Sequence, residues 1–167
     1  MRNTIFLIES NALSYCPICG EPLVYRDSCE RGMLLEGHKR RIYLIRRLKC
    51  QKCGKLHREL PDFLAPFKQY AAEIISGVLD GIIQSEDEDS IDYPCEETMS
   101  RWHHWLMAHQ RRIDGYLKSV GYRLLGFGEE LLNSGMSLLT ELRSSTPEWI
   151  ETILRFIYNS GGFLVSA

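Results

Sequence analysis

Polar and apolar residues follow two different periods along this chain, and the change falls near Pro61. Before it, short segments rich in β-branched and aromatic residues predict strands: "PLVYRD" (Pro22 to Asp27), "RRIYLIRRLK" (Arg40 to Lys49) and "KLHREL" (Lys55 to Leu60). Alternate side chains of a strand point to opposite faces. In the second segment the even positions Ile42, Leu44, Arg46 and Leu48 are mostly apolar and predict the inward face. The odd positions Arg41, Tyr43, Ile45, Arg47 and Lys49 would show three cations and a tyrosine to solvent.

After Pro61 the apolar residues recur at helical spacing. Phe67, Ala71, Ile74 and Val78 predict one buried stripe, on a helix from about Pro66 to Gly81. An acidic polar loop follows, Gln84 to Asp92. Pro94, with Glu96 and Glu97 in the first turn and Arg111 and Arg112 at the far end, marks a second helix. Its stripe is Met99, Trp102, Leu106, His109 and Ile113, with Ser100, Arg101 and His104 on other faces. Trp102 and Trp105 read as core residues. "EELLNSGMSLLTELRSS" reads as a Leu-rich amphipathic stretch. "TPEWIETILRFIYNSGG" predicts a last helix, with Thr146 as N-cap, Pro147 at its first position and Gly161 closing it. The expected fold class is α+β. A three-stranded ribbon over 1–62 precedes an all-α region, which comprises a helix-turn-helix-like pair over 63–113 and C-terminal packing or dimerisation helices over 114–167.

Cysteine spacing gives the sheet region its chemistry. "CPICG" and "CQKCG" form C-x2-C-x30-C-x2-C from Cys16, Cys19, Cys50 and Cys53. Zinc favours four such ligands in a tetrahedron, and a two-residue gap lets one tight turn offer both sulfurs to one ion. The expectation is a single structural Zn2+ in a zinc ribbon. A closed four-thiolate site has no open position for catalysis. His57 lies close enough in sequence to compete as a ligand, Cys29 sits mid-spacer without a partner, and Cys95 falls near a helix start. No membrane-length apolar run and no secretory pattern is seen, so a cytoplasmic location is expected.

Charge is segregated. The chain carries net charge −2, yet residues 1–70 hold 13 Lys/Arg against 7 Asp/Glu, and residues 71–167 hold 7 against 15. Nine Lys/Arg and no acid lie between His38 and Arg58. Such a run suits phosphate oxygens, which Arg meets with a planar fork; its plainer reading is a solvated sheet face. The residues expected to contact nucleic acid are Arg40, Arg41, Tyr43, Arg46, Arg47, Lys49, Lys55 and Arg58 of the ribbon, with Ser100, Arg101 and His104 of the second helix.

"CPICGEPL", "IRRLKCQKCGKLHRELPDFLAPFKQYAAEII" and "YPCEETMSRWHHWL" together resemble a bacterial family of small transposase-related proteins with an N-terminal zinc ribbon and a helix-turn-helix-like segment. The resemblance covers Tyr15 to Leu106 and continues weakly to "RFIYNSGGFLVSA". It implies zinc on Cys16, Cys19, Cys50 and Cys53, and DNA contact through the ribbon and the helix from Thr98 to Trp105; the DNA is expected to be duplex. Full transposases continue into a domain with metal-binding catalytic acids. Here the acids Glu86 to Asp89 are adjacent in a loop, which suits solvation. No HExxH, GxSxG or nucleotide loop is present, so no enzymatic activity is expected. The expected function is a DNA-binding accessory protein or transcriptional regulator, acting as a homo-oligomer or with a separate transposase. The alternative is a zinc-ribbon adaptor for protein partners.

Overall fold

The computed structural model describes residues 4–86 and 94–158. Its class is α+β: a four-stranded sheet, then helices. The strands are β1 (Ile5–Leu7), β2 (Leu23–Leu34), β3 (Arg40–Cys50) and β4 (Leu56–Arg58). β3 lies centrally. β2 runs antiparallel along one edge, from Leu23 opposite Cys50 to Leu34 opposite Arg40. The other edge is shared: β1 pairs parallel at Ile42 to Leu44, and β4 pairs antiparallel at Arg47 to Lys49. A strand overlaps each of the three expected segments, with β2 running on to Leu34, and a fourth joins them from the short apolar run "IFL".

The two halves of β3 bury opposite faces. In the first half the odd positions face the helical core: Tyr43 is 7% exposed and Ile45 1%. In the second half the even positions Leu48 and Cys50 are buried, on the face that carries the cysteine turns. The expectation of Tyr43 on the solvent face is therefore corrected. Its ring packs against Phe63, centroids 5.2 Å apart, and against Phe6 at 5.7 Å. Alternation along the strand is intact, but the layer covering it changes.

The helices are α1 (Ala72–Leu79), α2 (Glu96–Val120), α3 (Glu129–Asn133), α4 (Leu138–Ser145) and α5 (Trp149–Ile153), with π-helical turns at Gly121–Leu125 and Leu154–Tyr158. α1 starts later than the pattern predicts. Residues 64–71 instead form a turn and two isolated bridges, Leu34 with Tyr70 and Leu64 with Ala71. Phe67 accordingly leaves the predicted stripe for solvent. In α2 the predicted stripe is buried in full, and Leu117 extends it, since the helix runs on past Ile113. Trp102 meets Tyr70 edge-on at 5.5 Å.

The Leu-rich stretch divides at residues 134–137. Ser137 caps α4 by accepting from the Thr140 N–H at 3.3 Å, while Asp114 of α2 accepts from the Leu139 N–H at 2.8 Å. Two donors that α4 cannot satisfy internally are met this way. Thr146 Oγ1 accepts from the Glu148 N–H at 3.3 Å, but residues 147–148 form a turn and α5 begins only at Trp149, with Glu148 at its N-cap, so the predicted cap at Thr146 and first position at Pro147 are corrected. The closing role of Gly161 and most of the acidic loop lie outside the described residues. Among the described residues no helix is long and apolar enough to cross a membrane.

Asp80, just past α1, ties the helices together. One carboxylate oxygen accepts two bonds from Arg143 of α4, at 3.0 and 2.6 Å, and the other accepts from the indole N–H of buried Trp149 of α5, at 2.8 Å. The Arg143 guanidinium also covers the Trp149 ring at 4.9 Å. Asp80→Ala should cost about 2 kcal/mol, because it strands a buried donor and a cation. Asp62→Ala, which frees the more exposed Arg155, should cost less than ~1 kcal/mol. Urea unfolding checks this: equal losses for the two variants would contradict the role given to Asp80.

Candidate metal centre and cationic face

The two cysteine turns repeat one backbone pattern. The Cys16 N–H donates to the Glu21 carbonyl at 2.7 Å, and the Cys50 N–H to the Lys55 carbonyl at 2.9 Å. The Gly20 N–H returns to the Cys16 carbonyl at 2.8 Å, and the Gly54 N–H to the Cys50 carbonyl at 3.0 Å. Both glycines sit in the left-handed region, at φ 75° and 71°, where a Cβ is disfavoured. The β2–β3 register places Leu23 opposite Cys50, which brings one turn over the other. Lys52 and Glu21 join the turns at 3.1 Å.

The result is a cluster of four sulfurs, from Cys16, Cys19, Cys50 and Cys53, all within 4.8 Å of one another. The Cys16–Cys53 contact is 3.6 Å and Cys19–Cys50 is 3.4 Å. A tetrahedron with metal–sulfur bonds of ~2.3 Å holds its sulfurs roughly 3.8 Å apart. The donor set and spacing therefore fit a metal ion. The surroundings favour some thiolates over others. The Cys53 N–H donates to the Cys50 sulfur at 3.4 Å and helps bring that thiol down to about 6. At Cys16 burial opposes ionisation, but the N–H groups of Ile18 and Cys19 outweigh it and lower the thiol. Cys19 goes up to about 12: a backbone donor at Glu21 favours its thiolate, but the Cys50 sulfur and burial prevail. Sulfur anions this close repel, and a divalent cation among them removes the repulsion.

His57 Nε2 is 3.5 Å from the Cys16 sulfur, beside the cluster rather than within it. Cys29 faces Ile45 across the β2–β3 ladder, and exposed Cys95 precedes α2, its thiol lowered by the Thr98 hydroxyl at 3.3 Å.

The predicted cations are not equally available. Arg46 donates to Glu59 at 2.6 and 2.8 Å, which raises the Arg46 pKa through that bond. Arg47 makes a two-bond pair with Asp27. Arg41 is exposed and lies over Phe6 at 5.8 Å, and Arg40 is exposed against Gly32. Lys49, Lys55 and Arg58 are exposed and form no ion pair among the described residues. Pairing sets Arg47 directly opposite Arg58, with Lys49 on the same face. On α2, Ser100, Arg101 and His104 are all exposed. Arg101 bonds to the Glu97 carbonyl and the Thr98 hydroxyl, each at 3.3 Å, and His104 Nδ1 to the Ser100 carbonyl at 2.8 Å.

Sequence reasoning missed a groove of about 890 Å³ between the N-terminal segment, β4 and the turn at Pro66. Exposed Leu13, Tyr15 and Phe67 line it together with Lys55 and Arg58. The available signal was "APFK": proline in second place marks a turn as well as a helix start.

The expected metal content is one ion per chain. Serine at Cys16, Cys19, Cys50 or Cys53 should abolish it, whereas Cys29→Ser and Cys95→Ser should retain it. Elemental analysis of each purified variant checks this, and full metal retention in Cys50→Ser would refute the site.

A family model described as "Domain of unknown function (DUF6431)" matches residues 16–102, just over half of the chain. The matched span starts at the first sulfur of the cluster and ends at Trp102 in the buried stripe of α2. Comparison with curated proteins and with solved structures gives no match. The chain belongs to the DUF6431 family.

Proposed function

We propose that this protein is a zinc-binding, DNA-binding protein, in which the ion is structural and the end of the sheet presents cations to phosphates. Four sulfurs within 4.8 Å of one another are the donor set zinc favours, and they would fill its coordination shell, so the reading includes no catalytic step. β2, β3 and β4 around the two turns then serve as a zinc ribbon, and α1 with α2 as a helix-turn-helix-like unit. Ser100, Arg101 and His104 are exposed on α2 for groove contact, Arg101 being the best suited to guanine. The resemblance to transposase-related proteins supports an accessory or regulatory role, alone as an oligomer or beside a separate transposase.

One observation carries the reading. Like charges directly opposite on a sheet are destabilising. Here Arg47 stands opposite Arg58, with Lys49 on the same face, and Asp27 answers only Arg47 among these three. A polyanion would relieve that repulsion and release its own counterions.

A protein adaptor is the second reading. It is favoured by Ile5, Phe6 and Leu7, all exposed on β1 at the sheet edge, and by the carboxylates that already occupy Arg46 and Arg47.

Fluorescence anisotropy with a labelled duplex across a salt series distinguishes the two. Binding should weaken steeply with salt. Lys49→Ala/Lys55→Ala/Arg58→Ala together should flatten the log–log slope by about two to three units, at ~0.9 per lost phosphate contact. Arg46→Ala should leave the slope in place and lower stability instead. No duplex binding, with a stable oligomer on sizing, would favour the adaptor.

A further inference from the structure

Among the described residues two non-glycines have a positive φ, His38 and Phe67, and Phe67 is the bulkier. It has φ 61°, a left-handed value that bulky side chains avoid and glycine adopts freely. The Lys68 N–H closes the turn on the Ala65 carbonyl at 3.3 Å, with Pro66 second and Phe67 third. A proline second and a positive-φ third residue are the marks of a type II turn, where glycine is the unstrained choice at the third place. Packing gives no reason for the phenylalanine, since it is 72% exposed. The turn is held from below: Arg31 of β2 donates to the carbonyls of both Ala65 and Lys68. Strain kept in place by its surroundings, at an exposed aromatic, is a feature of binding sites.

The groove beside it has the matching chemistry. Tyr15, 57% exposed, lines it together with Phe67. Lys55 and Arg58 supply positive charge there. Two of its acids are already held, Glu59 by Arg46 at 2.6 Å and Asp62 by Arg155 at 3.0 Å. Aromatic faces beside unanswered cations are how proteins take an unpaired nucleic-acid strand, the bases stacking and the backbone following the charge. A paired duplex keeps its bases stacked on one another and offers such rings nothing comparable.

We infer that this groove binds a single-stranded stretch of nucleic acid, with a base stacked on Phe67. The inference rests on the nucleic-acid reading above and narrows its ligand. It separates two contacts: Lys55 and Arg58 serve any phosphate backbone, whereas Phe67 serves only an unpaired base.

Phe67→Gly isolates the second contact without threatening the fold, because glycine suits the turn. Its urea midpoint should equal or exceed that of the parent. The full-length metal-bound protein and its variants are titrated with labelled oligothymidylate, with oligouridylate of equal length, and with a mixed-sequence duplex. Phe67→Gly should lose about tenfold in affinity for the single strand and keep its duplex affinity. Phe67→Trp should retain single-strand binding. Lys55→Ala/Arg58→Ala should weaken both ligands. The stronger of the two single-strand signals identifies DNA or RNA as the source. Single-strand binding unaltered in Phe67→Gly, or duplex binding alone in the parent, overturns the inference and leaves the DNA-binding reading in place. No binding to any of the three removes both.

Discussion

The fold depends on bringing two short turns, far apart in sequence, to face each other. Each supplies two sulfurs, and neither could hold a metal ion by itself. What brings them together is β3, whose last residue is itself the ligand Cys50, and β2, which carries Leu23 to a position opposite it. Paired backbone bonds, repeated in both turns, then fix where the sulfurs lie. A metal ion held by all four would be inseparable from the register of the strands, since a one-residue slip would turn Cys50 to the other face.

That coupling explains why one strand can serve two layers. The first half of β3 sends Tyr43 and Ile45 into the core that the helices share, and its second half buries Leu48 and Cys50 on the side of the cysteine turns. The odd face is covered where the helices lie and open beyond them. At that open end Arg47, Lys49 and Arg58 come together. The helical layer is fastened separately, by Asp80 reaching both Arg143 and Trp149.

The cluster was legible from spacing alone, because a two-residue gap between cysteines is a local constraint that survives in the folded chain. So was the buried stripe of α2, where helical period and burial coincide at every predicted position. The solvent face of β3 was only half legible. Alternation tells which residues share a face, but not which layer covers it, and Tyr43 was misplaced for that reason. Charge counting overstated the cationic face in the same way. Glu59 and Asp27 lie well away in sequence from Arg46 and Arg47, and only strand pairing reveals that they neutralise them. The start of α1 was read too early because proline opens turns as readily as helices, and the strained Phe67 that follows Pro66 has no sequence signature.

X-ray absorption at the zinc edge of the purified protein tests the central claim most directly. One shell of four sulfurs near ~2.3 Å is expected. A shell containing nitrogen from His57, fewer than four sulfurs, or no zinc signal at all would contradict it.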